Sequence, residues 1–381
     1  MKSFFLSLFL LSFFTLGKAL SIKRISPNAE ISLLTCYPGY ESWQAYGHSA
    51  VRIKDDSFDI VFNYGTFDFS VPNFNSKFLR GKLPYALSIN DFDVFMEEYQ
   101  LENRTVLEQT INLSIKKKQK IYNFLIWNAQ PENREYYYDF VYNNCCTKIR
   151  DLFEAQLKPL QYKDAPKITL RKMLDPYNDY NEWQDLGIDL LLGARLDKVP
   201  DQYEKMFLPI DLQNAFDLTP NLVEKENTLF EAKIMPAPFV KITPGLVFWV
   251  LFIGLLIFAI RRGNGIPFGK IGPFIILFAT GLVGSILLFM WFGTDHLCTK
   301  INLNLLWAMP LNLFFAFFVF KPKLPNIISH FLRFYRILLI LVLIFWVLIP
   351  QQFHQSLIPI LLIIILFIST ILPLQNEKVI K

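Results

Sequence analysis

Long apolar segments fill the last third of this chain, and they restrict its fold more than any other feature. Five of them lie at residues 245–260, 271–292, 303–320, 337–350 and 357–374. A helix needs about 20 apolar residues to cross a bilayer, whereas a buried helix of a globular domain is shorter and striped with polar residues. We therefore predict an all-α membrane domain over residues 244–381 with about five transmembrane helices. The first three segments are long enough to span and the last two are short, so four or six helices remain open.

The lysine and arginine residues between these segments predict their orientation. Nine of them fall in the loops after the first and third segments and in the C-terminal tail, whereas the intervening loops hold only Lys300. The nine are Arg261, Arg262, Lys270, Lys321, Lys323, Arg333, Arg336, Lys378 and Lys381. Short loops rich in these residues stay in the cytoplasm, so residues 20–243 lie outside it. The nine exceed the net charge of +5, so the rest of the chain is slightly acidic and we exclude a nucleic-acid partner.

The first 19 residues are typical of an export signal. Lys2 precedes a short apolar run, and Gly17 and Ala19 have the spacing that a signal peptidase accepts. We predict a cleaved signal peptide over residues 1–19, with an uncleaved membrane anchor as the alternative. Export agrees with the orientation that the charged loops predict.

The exported part, residues 20–243, shows strand patterns first and helix patterns later. Strands are predicted at residues 29–37, 48–55, 58–69 and 104–113, and helices at 90–103, 114–130 with Ser114 as N-cap, and 145–156. Segregated strands and helices indicate an α+β domain. From about Pro166 to Pro244 the sequence is rich in Pro, Asp and Asn, and we predict irregular structure there.

Histidine is scarce in this chain, and two of its cysteines are adjacent. Of four histidines only His48 lies in the exported part, and Cys145 and Cys146 are two of four cysteines. A thiol becomes a strong nucleophile when an imidazole takes its proton, so a cysteine enzyme here would use His48 or a loop histidine. A helix start lowers the pKa of a thiol, and Cys145 is nearest to that start, with Asn144 and Thr147 as capping residues. Cys146 turns about 100° away, toward the core.

Structural roles are the alternatives at these positions. A single histidine is readily a structural residue, and an exported chain with four cysteines is compatible with a disulfide from Cys36 to Cys146 or Cys298. Adjacent cysteines rarely bridge each other, because the geometry is strained. One histidine and two adjacent cysteines do not give a zinc spacing, so we predict no metal site.

Several motifs of the chain resemble one known family. The segments GHSAVRI, NYGTFDF and YYYDFVYNNCCTKIRD resemble the exported N-terminal domain of the Lnb-type lipoprotein N-acyltransferases. GIDLLLG and MFLP extend the resemblance within the exported part, and TDHLCTKINLNLLWAMPL extends it into the membrane domain. A histidine before the cysteine also resembles the permuted NlpC/P60 enzymes. The resemblance implies an α+β papain-like (permuted NlpC/P60-like) exported domain followed by an all-α multi-span membrane domain.

The resemblance also implies a set of site residues. The family's NC-x-T pattern falls on Asn144, Cys145 and Thr147, so Cys145 is the expected nucleophile, and the histidine of GHSA, His48, is the expected base. Asn143 stands where relatives often have an acidic residue. In the NYG motif and after it, Asn63 is the expected residue that orients the imidazole, with Asp68 as the second choice. The expected substrate-binding residues are Asn144, Thr147, Tyr64, Asp295 and His296.

The activity that the resemblance implies is acyl transfer. A membrane phospholipid donates an acyl chain to Cys145, and the thioester passes it to the α-amine of the lipidated N-terminal cysteine of a diacylated lipoprotein. No metal, nucleotide or acyl-thioester cofactor is implied, and the expected location is the bacterial inner membrane with the catalytic domain in the periplasm. A cell-wall cysteine peptidase or amidase, or a non-catalytic membrane scaffold, are the alternatives. A membrane domain beside the thiol motif favours a lipid substrate.

Overall fold

The computed structural model describes residues 23–157, 159–162, 167–179, 181–233, 242–261 and 269–372. The predicted export signal lies outside the described residues, as do Arg262, Lys378 and Lys381. The described chain is a β-sheet domain followed by a set of apolar helices. This arrangement confirms the predicted α+β domain and the helical membrane domain after it.

The first domain is built on one antiparallel sheet. Its strands are β1 (Glu30–Cys36), β2 (His48–Asp55), β3 (Phe58–Thr66), β4 (Pro84–Asp91), β5 (Val106–Ile111), β6 (Glu135–Tyr137) and β7 (Val223–Phe230). The seven strands lie in the order β6-β4-β3-β2-β1-β5-β7. The interior strand β1 is buried on both faces, so it carries apolar residues for both: Ile31 and Leu33 on one face, Leu34 and Cys36 on the other.

Helices cover both faces of this sheet. They are α1 (Phe74–Leu79), α2 (Phe92–Leu101), α3 (Ile115–Asn128), α4 (Cys145–Gln156), α5 (Leu170–Asn178), α6 (Glu182–Leu191), α7 (Gln202–Lys205) and α8 (Pro209–Leu218). The larger core lies between one face of the sheet and α3, α4 and α8. A smaller core, around Phe95 and Tyr99 of α2, covers the other face. The helix α4 contacts β2 and β3, so its first residue lies close to the start of β2.

The prediction of irregular structure between Pro166 and Pro244 is wrong. This region holds α5 to α8 and the edge strand β7. The polar residues that suggested turns are N-caps: Thr169, Asn181 and Asp201 each accept a backbone N–H of the helix that follows. Turn residues and caps have the same composition, because both use short polar side chains to bind free backbone N–H groups.

The membrane domain contains α9 (Pro244–Arg261), α10 (Ile271–Phe292), α11 (Leu311–Phe315), α12 (Asn326–Ile344) and α13 (Leu357–Ile371). Among the described residues, α9, α10 and α12 are the three helices long and apolar enough to cross a bilayer. The third predicted segment is instead a pair, Leu297–Leu306 and Leu311–Phe320, bent by 46°, which makes up to four spans. The fifth is α13, which has 15 residues. The third segment is therefore a broken pair of short helices and not one continuous helix, and as a pair it can still form one span.

The bend has a physical cause that the apolar sequence hides. Pro310 cannot continue a preceding helix, and the chain at the bend packs directly against glycines of α10. A methyl group on Gly284 would lie 1.9 Å from the Ala308 carbonyl oxygen, and one on Gly281 would lie 2.0 Å from the Leu313 nitrogen. Such close backbone approach is typical of small residues in helix packing within membranes.

The position of two arginines also differs from the prediction. Because α12 begins at Asn326, Arg333 and Arg336 lie within this helix and not in the preceding loop, and the same holds for His330. The Lys270 ammonium donates hydrogen bonds to the carbonyls of Phe320 and Lys321, at 3.0 and 2.9 Å. The start of α10 and the segment before α12 therefore lie at the same end of the domain, as the predicted cytoplasmic loops require.

Candidate active site

The start of α4 is fixed by a reciprocal cap. Asn144 is the N-cap residue: its Oδ1 accepts the Thr147 N–H at 3.0 Å, while the Thr147 Oγ1 accepts the Asn144 N–H at 2.8 Å. The Asn144 Nδ2 donates to the carbonyls of Phe140 and Phe207, at 2.8 and 2.9 Å. Both capping residues are buried. They position Cys145, the first residue of α4, and their predicted contact with substrate stays a prediction.

Asp139 links the turn before α4 to the membrane domain. Its backbone pairs with Asn143, two residues before Cys145, through hydrogen bonds of 3.1 Å in both directions. Its buried carboxylate accepts the Leu297 N–H at 3.1 Å and the Cys298 S–H at 3.3 Å. Leu297 and Cys298 follow α10 in the predicted outward loop, so the segment that carries the thiol is fastened to the outer end of that helix.

The imidazole of His48 lies at the start of β2. Gly47 before it has a φ of +75°, and a methyl group there would lie 2.6 Å from the Cys36 carbonyl oxygen, so only glycine fits. The His48 Nε2 lies 2.6 Å from the Oδ1 of Asn63 on β3. Asp68, the second choice for that role, binds the Ser70 backbone and hydroxyl at 2.7 and 2.8 Å instead. Because Asn63 occupies Nε2, the nitrogen left for the thiol is Nδ1.

Cys145 and His48 shift each other's pKa in opposite directions. A hydrogen bond from Cys146, together with the charge and hydrogen bond of His48, holds the pKa of the Cys145 thiol well below its usual range, although burial opposes this. Burial lowers the pKa of His48, but the Cys145 charge and hydrogen bonds with Cys145 and Asn63 outweigh it, so that pKa is raised. Both shifts favour a thiolate beside an imidazolium, which is the reactive form of a cysteine nucleophile.

All four cysteines are free thiols, so the alternative of a disulfide from Cys36 is not what the structure shows. Burial raises the pKa of Cys36 to about 12, and its strand position faces His48 in the β1–β2 register. The Cys298 thiol donates a hydrogen bond to the Asp139 carboxylate. Cys146 is buried in the larger core, with its sulfur 3.5 Å from the Ser49 hydroxyl and 3.8 Å from the Cys145 sulfur. Burial raises the pKa of Cys146 well above its usual range, so the pKa values of the adjacent thiols are shifted in opposite directions.

We expect Cys146→Ser to keep most of the activity. Serine retains a donor toward Cys145 and a partner in the Ser49 hydroxyl, so the thiolate keeps its hydrogen bond. Cys146→Ala removes that donor and should raise the pH at which Cys145 reacts with iodoacetamide. The measurement is the pH profile of Cys145 alkylation in both variants, read by peptide mass. Equal profiles for serine and alanine would show that Cys146 has no effect on the nucleophile.

Two tyrosines beside the thiol were missed by sequence reasoning. Tyr136 and Tyr138 flank the exposed Tyr137, and the negative charge of Cys145 adds to the effect of burial in raising the pKa of each. The buried Tyr136 hydroxyl has no hydrogen-bond partner among the residues that the structure describes. That hydroxyl and the His48 Cε1 each lie 3.9 Å from the place where a methyl group on Gly65 would be. The run of three tyrosines was the signal available in the sequence, because alternate residues of an extended segment, here Tyr136 and Tyr138, point to the same face.

Three of the predicted substrate-binding residues make their described contacts away from the thiol. Tyr64 is buried in the core, and its hydroxyl donates to the Asn128 Oδ1 at 2.6 Å. Asp295 and His296 lie just beyond α10: the Asp295 N–H donates to the Arg80 carbonyl at 2.8 Å, and the His296 Nε2 lies 3.2 Å from the Phe78 carbonyl. These contacts hold the α1 segment against the membrane domain.

Two other features could indicate a functional site in the described part of the chain, namely a metal-binding cluster and a cavity. Within the described ranges, no group of three or more His, Cys, Asp or Glu residues is suited to hold a metal ion. A cavity of about 640 Å³ is lined by residues that include Tyr162, Tyr177 and Asp211, but not by Cys145 or His48. Cys145 and His48 are the candidate site, because a nucleophile and a base that shift each other's pKa indicate an active site better than cavity volume does.

Comparison with known families covers most of the chain. Residues 23–183 match the family described as the Lnb N-terminal periplasmic domain, and residues 236–378 match the Lnb transmembrane domain. No curated protein and no solved structure matches the chain.

Proposed function

The chain belongs to the Lnb-type lipoprotein N-acyltransferase family, and from this premise we propose that it transfers an acyl chain from a membrane phospholipid, through a Cys145 thioester, to a lipoprotein α-amine. It is a multi-pass inner-membrane protein with a periplasmic domain, and family membership ties it to lipoprotein N-acylation. We also propose the division into a signal peptide at residues 1–19, a periplasmic domain at 20–243 and a membrane domain at 244–381.

The observation that carries the proposal is the thiolate–imidazolium pair at the start of α4. Cys145 is a half-buried residue at the first position of α4, and His48 is held by Asn63 at 2.6 Å. The thiolate attacks the ester carbonyl carbon of the phospholipid, and the tetrahedral intermediate collapses with loss of the lysophospholipid alkoxide. The His48 imidazolium gives its proton to that alkoxide, which leaves a thioester and a neutral imidazole.

The second half of the reaction returns the pair to its starting state. The α-amine of the lipidated cysteine attacks the thioester carbonyl, and His48 takes the proton that the amine loses. The C–S bond breaks and the Cys145 thiolate is released beside the imidazolium. Because the two substrates react in turn at one sulfur, they do not have to be bound together. Both are held in one membrane, which raises their effective concentration at a tethered enzyme.

The charge that develops on the carbonyl oxygen needs donors. The N–H groups of Thr147 and Lys148 are taken by the Asn144 Oδ1 and carbonyl, both at 3.0 Å. The N–H groups of Cys145 and Cys146, at the very start of α4, are the donors that we assign to the oxyanion, and the Tyr136 hydroxyl is a third. A buried donor aimed at the developing charge stabilises the transition state without reorganisation.

The test is the chemical state of lipoprotein N-termini in cells. We expect mass spectra of lipoproteins from a strain that lacks this protein to show free α-amines, and expression of the chain to restore one additional acyl chain per lipoprotein. Muropeptides from the same cells serve as the control. An unchanged acylation pattern together with altered muropeptides would contradict the proposal and support the cell-wall peptidase or amidase.

A further inference from the structure

A row of aromatic rings leads from the outer end of the membrane domain to the thiol. We call it the aromatic strip, and its members are Phe78, Phe74, Phe69, Phe67, Tyr85 and Tyr138. The centroids of successive rings lie 6.2, 5.0, 5.0, 5.1 and 4.5 Å apart. The rings are half-buried or exposed, so the strip is a continuous apolar surface and not part of the core.

One end of the strip lies at the active site. Tyr138 stacks on Tyr85 at 4.5 Å, and it precedes Asp139, the residue that fixes the turn before α4. Asp139 in turn pairs with Asn143, two residues before Cys145, so Tyr138 belongs to the turn that leads to the nucleophile. Burial and the charge of Cys145 both raise the pKa of Tyr138, in agreement with that position. Tyr138 and Cys145 are both half-buried.

The other end of the strip lies at the membrane. Phe78 and Leu79 are 51% exposed and Phe69 is 60% exposed. The residues that follow them are bound to the loop after α10, through the Asp295 N–H and Arg80 carbonyl contact of 2.8 Å. Gly81, with a φ of +68°, allows this approach, since a methyl group there would lie 3.1 Å from the His296 nitrogen. The exposed rings therefore stand where α10 leaves the bilayer.

The chemistry of this end matches a phospholipid. Exposed apolar patches of this kind, rimmed by polar residues, mark lipid or partner contacts, and aromatic rings are enriched at the membrane interface. Lys77, Arg80 and Lys82 lie on the same segment, and Lys82 makes a long contact of 3.8 Å with Asp295. Positive side chains beside apolar rings suit the phosphate group of a phospholipid with acyl chains attached.

We propose that the aromatic strip is the binding site for an acyl chain of the phospholipid donor, which lies along the rings with its ester bond at Cys145. This inference rests on the proposed function for the reaction at Cys145, but not for the binding of lipid. In this arrangement Asp295 and His296 hold the strip at the bilayer surface and do not themselves bind the substrate.

The first experiment measures binding without chemistry. The Cys145→Ala chain is reconstituted in vesicles of phosphatidylcholine that carry a diazirine on one acyl chain, irradiated, digested and analysed by mass spectrometry. We expect cross-links on residues 67–85 and 138, and an about tenfold loss of them when Phe69→Ser and Phe78→Ser are added, because each ring buries a large apolar area against the chain. Trp127→Ser, which removes a ring with 53% exposure on α3, is the matched control. Cross-links confined to the membrane helices would overturn the proposal.

The second experiment measures chain-length dependence in the chain with Cys145 intact. Acylation of Cys145 is followed by intact mass with p-nitrophenyl acetate and with long-chain phosphatidylethanolamine vesicles. For the Phe69→Ser, Phe78→Ser variant we expect the ratio of phospholipid rate to acetate rate to fall about tenfold, and for Trp127→Ser to stay unchanged. An unchanged ratio in that variant would contradict the proposal that the aromatic strip binds the acyl chain. Lipid cross-links on the aromatic strip without acylation of Cys145 by phospholipid would support lipid binding by the strip and contradict the proposed function.

Discussion

Cys145→Ala is expected to abolish acyl transfer. In the proposed reaction the Cys145 sulfur carries the acyl chain, and removal of a nucleophile lowers turnover by about 10⁶-fold in comparable enzymes. Incubation of the solubilised protein with phospholipid alone should add one acyl chain to the intact mass, which neutral hydroxylamine removes. The alanine variant should show no adduct. Cys146→Ser, one residue away in the core, should still form it.

Transfer at full rate by the Cys145→Ala variant would remove the thioester from the mechanism. An adduct on another residue would have the same consequence, and peptide mass would identify that residue. Loss of the adduct in both cysteine variants would instead assign an essential role to Cys146, since its sulfur lies 3.8 Å from that of Cys145.

His48→Ala is expected to lower the rate of acylation by about 10³-fold or more and to change its pH dependence. His48 supplies both the charge that stabilises the thiolate and the proton for the leaving alkoxide. In the wild type the thiolate is present above the lowered pKa of Cys145 and is lost as the pH falls through it. The imidazolium is present below the raised pKa of His48 and is lost as the pH rises through it. The acylation rate should therefore be bell-shaped, with its plateau between the two.

Alkylation of Cys145 by iodoacetamide separates these two roles, because it needs the thiolate but no proton donor. In the wild type it should proceed at pH values well below 9.0, the ordinary pKa of a thiol. In His48→Ala the midpoint should move up, since burial then acts without an opposing charge. Asn63→Ala keeps the imidazole and loses only its orientation, so its effect should be smaller. An unchanged alkylation profile in His48→Ala would show that another group activates the thiol.

Local chemistry made the elements around the thiol predictable. The sequence CCTKIRDLFEAQ places α4 at the bounds that the structure has, because its cap lies in the residues directly beside it. The same is true of β2, which begins after a glycine that tolerates no side chain. Asn63 and Asp68 were both compatible with the motif, and only the pairing of β2 with β3 brings one of them to the imidazole.

Contacts between distant segments account for what sequence reasoning missed. The bend in the third apolar segment depends on glycines of α10, more than 20 residues earlier, and nothing within the segment itself reports them. The binding of Asp295 to Arg80 joins two parts of the chain that have no common periodicity. The orientation of Tyr136 and Tyr138 toward the thiol follows from the pairing of β6 with β4, which a three-residue strand cannot predict alone.

The hydrogen bonds from Leu297 and Cys298 to Asp139 fix the position of the Cys145 turn relative to the outer end of α10. The turn that carries Cys145 and the outer end of α10 share one buried carboxylate, so movement of the sulfur relative to that end of the helix would strain those hydrogen bonds. In the proposed reaction, the ester of the phospholipid and the amine of the lipidated cysteine both lie near the level of the glycerol. A sulfur held at one depth would therefore serve both substrates.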